Sequence, residues 1–148
     1  MDSRKHISIL GALLISMICS LAIGQSLNGL TIIGNNLGST SLNELQVKDA
    51  FKAKNNFWPN GTSLTVCLPE TKSSDAAEVS RKLYNKTVSE VQKFWLSQVF
   101  QGRSRSPMFF ESDEEMMNYV AKTPGAIGAF VNEKGLSIPK ELSLQILP

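Results

Sequence analysis

A hydroxyl-rich stretch at residues 71–75 is the part of this sequence best suited to binding a small ligand. It follows a predicted strand and opens a predicted helix, so hydroxyls and free backbone amides converge where the helix dipole is positive. Helix starts of this kind hold phosphate, sulfate or carboxylate groups without needing a charged side chain. We therefore name Thr71, Ser73 and Ser74 as candidate ligand-binding residues for an oxyanion.

The same residues have a purely structural interpretation, which the sequence leaves open. Ser73, Ser74 and Asp75 can cap the helix that follows them, because their side-chain oxygens accept hydrogen bonds from its first amides. Asp75 would also place a negative charge beside an anionic ligand. A second polar stretch, the basic loop at residues 102–107, could attract anions, but its composition favours a solvated, mobile loop.

The first 24 residues have the order of a secretory signal peptide. Basic residues precede an almost continuously apolar run at residues 7–21, and small residues stand just before Gln25. The alternative is a membrane anchor, but the run is short for a span, which needs about 20 apolar residues. We expect residues 1–24 to be removed and residues 25–148 to form a periplasmic or secreted domain.

The composition of the remaining chain excludes several classes of function. The only histidine is His6, and of the 2 cysteines only Cys67 lies beyond the predicted signal peptide. Ser-His-Asp or Cys-His catalysis and the usual zinc sites lack their residues, so we expect no enzyme, metal or cofactor. Cys67 is expected to be a small, half-buried packing residue. The formal net charge of the full chain is only +2, which does not indicate a concentrated basic face for nucleic acid.

Four segments with Ser, Thr or Asp followed three residues later by Glu predict helix starts. These segments lie at residues 41–44, 75–78, 87–90 and 112–115. The first helix is predicted from about residue 42 to residue 54. The third helix carries an apolar stripe that consists of Val91, Phe94, Trp95, Val99 and Phe100. The fourth helix has an apolar face of its own, which consists of Met116, Met117, Val120 and Ala121. From these two stripes we predict that Phe94, Trp95 and Val120 are core residues.

Strands are predicted where β-branched residues cluster or apolar residues alternate with polar ones. They lie at residues 30–33, 63–68, 126–131 and 142–147. The resulting order is β-α-β-α-α-α-β-β, and strands separated by helices favour a layered domain with a partly parallel sheet. We therefore predict a single three-layer-like α/β domain in which helices flank a small mixed sheet.

Short motifs along the chain resemble those of the phosphate-binding proteins of bacterial ABC importers, in the same order and at similar spacing. The matching stretches are Leu42-Asn43-Glu44-Leu45, Phe51-Lys52-Ala53-Lys54, Phe57-Trp58-Pro59-Asn60-Gly61, Phe94-Trp95, Phe100-Gln101-Gly102 and Val120-Ala121-Lys122-Thr123-Pro124-Gly125-Ala126-Ile127-Gly128. The chain thus resembles a short, single-lobe form of a phosphate ABC transporter substrate-binding protein. That resemblance implies the fold of one lobe of a type II periplasmic binding protein.

The resemblance also implies an extracytoplasmic, non-enzymatic protein that binds phosphate or another oxyanion and works with an ABC permease. The family's phosphate segment contains an arginine and glycines, whereas residues 70–75 contain serines but neither of these. Loss of a bidentate arginine predicts weak binding, which a homodimer could strengthen by covering the site. The alternative is a ligand-free interaction or regulatory module, in envelope signalling or assembly, that kept the lobe fold.

The glycine-containing end of the last motif is given a structural role. Pro124 cannot continue a helix, and Gly125 can adopt the left-handed conformation that closes one. Gly128 would let a neighbouring helix or loop approach the strand backbone. We expect these residues to define the fold and not to contact a ligand.

Overall fold

The computed structural model describes residues 27–148, and the predicted signal peptide at residues 1–24 lies outside the described residues. The elements follow each other in the order β1 (Thr31–Gly34), β2 (Ser41–Asn43), α1 (Glu44–Phe51), β3 (Thr65–Pro69), α2 (Asp75–Tyr84), α3 (Val88–Phe100), β4 (Met108–Phe110), α4 (Asp113–Lys122), β5 (Ala126–Phe130) and β6 (Gln145–Leu147). The four strands predicted from the sequence are present, with boundaries that differ by no more than three residues from the predicted ones.

The main sheet has four strands in the order β1-β5-β3-β4. β3 is parallel to both of its neighbours, β5 and β4, whereas β1 is antiparallel to β5. β2 and β6 form a separate parallel pair. The sheet is therefore mixed, as predicted, and its three parallel strands end at the same edge.

Helices cover both faces of the main sheet. Alternate side chains of β3 and β5 point to opposite sides, so each face carries apolar side chains that pack against a helix layer. One apolar cluster joins the sheet to α1, α2 and α3, and it includes Val66, Ile127, Phe51, Leu83 and Trp95. A second cluster joins the other face to α4, and it includes Cys67, Phe130, Met116 and Val120. The predicted three-layer α/β arrangement is confirmed.

The start of the first helix was predicted wrongly. α1 begins at Glu44, and its capping box is formed by Asn43 and Gln46, with N–H···O distances of 2.8 and 2.9 Å. Leu42 instead lies in β2, where it pairs with Ile146. Asn43 followed three residues later by Gln46 forms the same kind of capping box as the one predicted for Ser41 and Glu44, two residues further along the chain.

The other predicted caps have different outcomes. Thr87 and Glu90 form both hydrogen bonds of a capping box at the start of α3, which confirms that prediction. At α4 the Ser112 hydroxyl accepts a hydrogen bond from the Glu115 amide at 3.2 Å. The predicted cap by Asp75 is wrong: the N-cap residue of α2 is Ser74, and no side chain caps this helix.

The burial of α3 differs from the predicted apolar stripe. Trp95 is buried as predicted, and so is Val120 on α4. Phe94 is only half-buried, while Val99 and Phe100 are exposed over 41% and 91% of their surfaces. The apolar side chains in the last turn of α3 therefore do not contribute to the core.

Candidate functional site

The parallel strands of the main sheet end at one edge, and the candidate residues follow directly from it. β3 ends at Pro69, and the amide of Glu70 donates to the carbonyl oxygen of Phe110, the last residue of β4, at 2.9 Å. The turn at residues 71–74 then leads into α2. In open α/β sheets, ligands bind outside the carboxyl ends of the strands. The candidate turn therefore lies at the edge of the sheet at which open α/β folds generally bind ligands.

The three candidate residues are neighbours in the chain, but their side chains occupy different environments. Thr71 is exposed and lines an open pocket of about 320 Å³ together with Lys72 and Gln92. The Ser73 hydroxyl is buried and has no hydrogen-bond partner among residues 27–148. Ser74 is exposed, and its hydroxyl donates to Asp75 at 3.2 Å. Neither serine lines the pocket that contains Thr71.

Some of the backbone donors expected at this turn already have partners. The amide of Ser73 donates to the carbonyl oxygen of Glu70 at 2.9 Å, and the amide of Ala76 donates to that of Ser73 at 3.3 Å. These two amides are therefore not available to a ligand, and among the three candidate residues the hydroxyl of Thr71 is the one that lies at the open pocket.

Asp75 is a buried carboxylate in the middle of this edge, with 7% of its surface exposed. One of its oxygens accepts the hydrogen bond from Ser74, and the other accepts one from the amide of Val131 at 2.8 Å. Val131 directly follows β5, so this contact joins the start of α2 to the end of the central strand. Asp75 thus forms a tertiary hydrogen bond between α2 and the end of β5, and it does not cap its helix as the sequence suggested.

Asp113, in the first turn of α4, brings a second carboxyl group to the same edge. Partial burial, followed by the negative charges of Asp75 and Glu114, raises the pKa of Asp113 to about 6, although Lys134 opposes the shift. Above this pH the carboxyl group of Asp113 is charged, and its negative charge repels an anion. The sequence did not identify Asp113 as a site residue because β4, the strand that leads to it, has only three residues and shows no pattern.

Cys67 lies in the core, in the middle of β3, and not at this edge. It is fully buried in β3, deeper than the half-buried position expected, and burial raises the pKa of its thiol to about 12. Within the described part of the chain, no three His, Cys, Asp or Glu side chains are grouped to hold a metal ion. None of the helices in residues 27–148 is long and apolar enough to cross a membrane.

No protein-family model matches the chain, and neither does any curated protein sequence. Several solved structures share its fold. An ABC-type phosphate transport receptor from Vibrio cholerae is 17% identical with a TM-score of 0.58, and PstS from Borrelia burgdorferi is 18% identical with a TM-score of 0.59. A protein assigned as a phosphate ABC transporter substrate-binding protein from Clostridium perfringens, solved with bound phosphate, is 13% identical with a TM-score of 0.58.

Each of these similarities covers 80% of this chain but only 44–47% of the other protein. The chain therefore spans less than half the length of the receptors that it resembles. At these identities the likeness concerns the fold and not the ligand. The resemblance seen in the sequence motifs is confirmed at the level of the fold, which is that of one part of a phosphate ABC transport substrate-binding protein.

Proposed function

We propose that this chain is an extracytoplasmic solute-binding domain of the ABC-importer kind, which binds phosphate or a related oxyanion at the start of α2. Thr71, Ser73 and Ser74 would supply the donors. The observation that carries this proposal is their position at the carboxyl edge of the parallel strands, within a fold shared with phosphate receptors. The exposed side chain of Thr71 supports it, because it lines an open pocket of about 320 Å³ at this turn.

The charges at this edge predict that binding is weak and depends on pH. An exposed helix start stabilises an anion by only about 0.3–1 kcal/mol. Asp75 and, above a pH of about 6, Asp113 repel the ligand. Below that pH Asp113 is mostly neutral, so the repulsion falls and the affinity rises. A second copy of the chain could exclude water from the site, and an ABC permease is the partner that an import function requires.

We expect sulfate to bind the mature protein more tightly at pH 5 than at pH 8, by about fivefold if Asp113 contributes ~1 kcal/mol of repulsion near the surface. Sulfate is the appropriate probe because its own charge does not change between these pH values. Replacing Ser73 and Ser74 by alanine should weaken binding by about 0.5–1.5 kcal/mol for each hydrogen bond lost. Isothermal titration calorimetry with sulfate and with phosphate measures both effects.

Ser89→Ala is the matched control for these substitutions. Ser89 is an exposed serine in the first turn of α3, at a helix start that does not follow a strand. Its replacement should leave the affinity unchanged. Undiminished binding by the Ser73→Ala/Ser74→Ala variant would place the oxyanion elsewhere and would contradict the proposed site.

We further propose that the mature protein begins at Gln25 and resides in the periplasm or is secreted. The basic, apolar and small-residue order of residues 1–24 supports this location. Mass spectrometry of the exported protein is expected to give the mass of residues 25–148. Recovery of exported chain that still carries residues 1–24 would contradict cleavage.

The second candidate is a ligand-free interaction or regulatory module in envelope signalling or assembly. The acidic carboxyl edge favours it, since Asp75 is buried where an anion would approach. The apolar side chains exposed on α3 also favour it, because Leu96 is 71% and Phe100 is 91% exposed. Absence of sulfate and phosphate binding by the parent protein at both pH values would support this candidate. Both candidates are non-enzymatic.

A further inference from the structure

A groove at the opposite edge of the sheet is lined by two arginines and is therefore positively charged. It lies beside the amino ends of β3 and β4, at Thr65 and Met108, and is bordered by the loop that follows α3. Its volume is about 460 Å³. This falls within the range of about 300–1,000 Å³ that is usual for small-molecule sites, and it exceeds what an inorganic ion needs.

The groove is positively charged and contains no acidic side chain. Arg103 and Arg105 both line it, and neither forms an ion pair with another residue of the described range 27–148. A guanidinium group remains charged at every physiological pH and presents several donors in a fork that matches carboxylate and phosphate groups. Two unpaired guanidinium groups at one opening favour an anionic ligand.

The loop that carries these arginines is anchored to the fold. The amide of Arg103 donates to the carbonyl oxygen of Gln98 at 2.9 Å, and the side-chain amide of Asn56 donates to the carbonyl oxygen of Arg103 at 2.9 Å. Between the arginines, the Ser104 hydroxyl is buried without a hydrogen-bond partner in the described part of the chain. Two hydrogen bonds therefore anchor the start of the loop at Arg103, while most of its residues are exposed, as expected for a solvated loop.

Part of the groove wall is apolar and aromatic. Phe57 and Met108 line it with 62% and 41% of their surfaces exposed, and Tyr119 is half-buried, while polar residues such as Asn56 and Thr65 also line the groove. Such surfaces bind flat apolar groups by contact and by removing them from water. An inorganic oxyanion alone would leave this wall uncovered.

We propose that this groove is a second anion site, which binds a small organic anion that has one phosphate or carboxylate head and a flat apolar body. The head lies at Arg103 and Arg105, and the body lies against the wall beside Met108. This site is separate from the one proposed at the start of α2 and does not depend on it.

The test uses the mature protein labelled with ¹³C at its methionine methyl groups, with phenyl phosphate as the probe. The Met108 methyl resonance should shift, because this side chain lines the groove and is 41% exposed. Met116 is an internal control, since it is 1% exposed and packs beneath the other face of the sheet. Inorganic phosphate should act as a weaker probe, because it has no apolar body.

Arg103→Gln and Arg105→Gln should each weaken phenyl phosphate binding by about tenfold, the effect of losing one charge-assisted contact. Lys93→Gln removes an exposed charge from α3 outside the groove and should have no effect. Ser73→Ala/Ser74→Ala should also leave this binding unchanged, which separates the two proposed sites. All these residues are exposed or half-buried, so the variants are expected to fold, and their melting temperatures verify this.

Three results would overturn the proposal. If Met108 does not respond to phenyl phosphate, the groove is not the binding site. If the arginine variants lower the melting temperature but retain full affinity, the arginines only complement the negative end of the α3 dipole. If inorganic phosphate binds as tightly as phenyl phosphate, the apolar wall has no part in recognition and the proposed ligand class is wrong.

Discussion

Replacing Gly125 by alanine is expected to destabilise the protein by about 2–5 kcal/mol. Gly125 has a φ of +83°, a left-handed conformation that costs an ordinary residue about 1–2 kcal/mol. A methyl group there would also lie against the carbonyl oxygen of Ser63 and 2.7 Å from Cγ2 of Thr62. Overpacking of this kind adds about 1–3 kcal/mol, because a backbone carbonyl next to the start of β3 cannot easily move away.

The hydrogen bonds of Gly125 prevent the backbone from relaxing. Its amide donates to the carbonyl oxygen of Asn35 at 2.7 Å. Its own carbonyl oxygen accepts from the amide of Thr65 at 3.1 Å and from the indole nitrogen of Trp58 at 2.9 Å. Any shift that relieves the clash weakens bonds that join the starts of β3 and β5.

Gly61→Ala separates the two causes of this loss. Gly61 has a φ of +85°, but a methyl group there would have no atom within 4 Å. Its replacement should therefore cost only the conformational part, about 1–2 kcal/mol. Urea denaturation of both variants measures the difference. Equal losses at the two positions would show that the approach of Ser63 to Gly125 does not constrain the fold.

Replacing Trp95 by alanine is expected to lower the free energy of unfolding by about 3–5 kcal/mol, as is usual for a buried aromatic residue. Trp95 is 3% exposed and packs edge-on against Phe94, with the ring centroids 5.4 Å apart. Its indole nitrogen donates to the hydroxyl of Tyr84 at 3.2 Å, and this hydroxyl donates to the carbonyl oxygen of Phe51 at 2.6 Å. The substitution removes apolar contacts and one member of a buried hydrogen-bond chain that links α3, α2 and α1.

Phe100→Ala provides the control on the same helix. Phe100 is 91% exposed, so its removal should change the stability by no more than about 0.5 kcal/mol. Chemical denaturation followed by far-ultraviolet circular dichroism avoids the loss of tryptophan fluorescence in the Trp95 variant. If both variants lose stability equally, the orientation of α3 described above is wrong.

The fold was predictable where the signal is local. The capping box of Thr87 and Glu90 lies within a few residues, and so does the alternation of Val66 and Leu68, so the sequence predicts α3 and β3 directly. β2 and β4 have three residues each, which is too short for any periodicity. They are defined by pairing with strands that are distant in the chain, β6 for β2 and β3 for β4. The exposure of Phe100 likewise depends on which elements pack against α3, and no local window of sequence contains that information.

The candidate site was predictable only in part, for the same reason. The boundary between β3 and α2 identifies the turn at residues 71–74 as a place with hydroxyl donors. Asp75 was interpreted as a cap because its actual partner, the amide of Val131, is 56 residues away in the chain. The raised pKa of Asp113 depends on burial and on Asp75, so it arises only after β4 has paired with β3.

Because Cys67 is buried between the main sheet and α4, its thiol can report the separation of these two layers. Its thiol lies in the middle of the main sheet beneath Met116 and Val120, and its high pKa keeps it protonated and unreactive in the closed protein. A thiol reagent at neutral pH can modify it only in molecules whose sheet and α4 have separated. In a chain that begins at Gln25 no other cysteine competes. The modification rate therefore follows how often α4 leaves the sheet, and comparing it with and without a bound anion would show whether ligand binding at either edge restrains that opening.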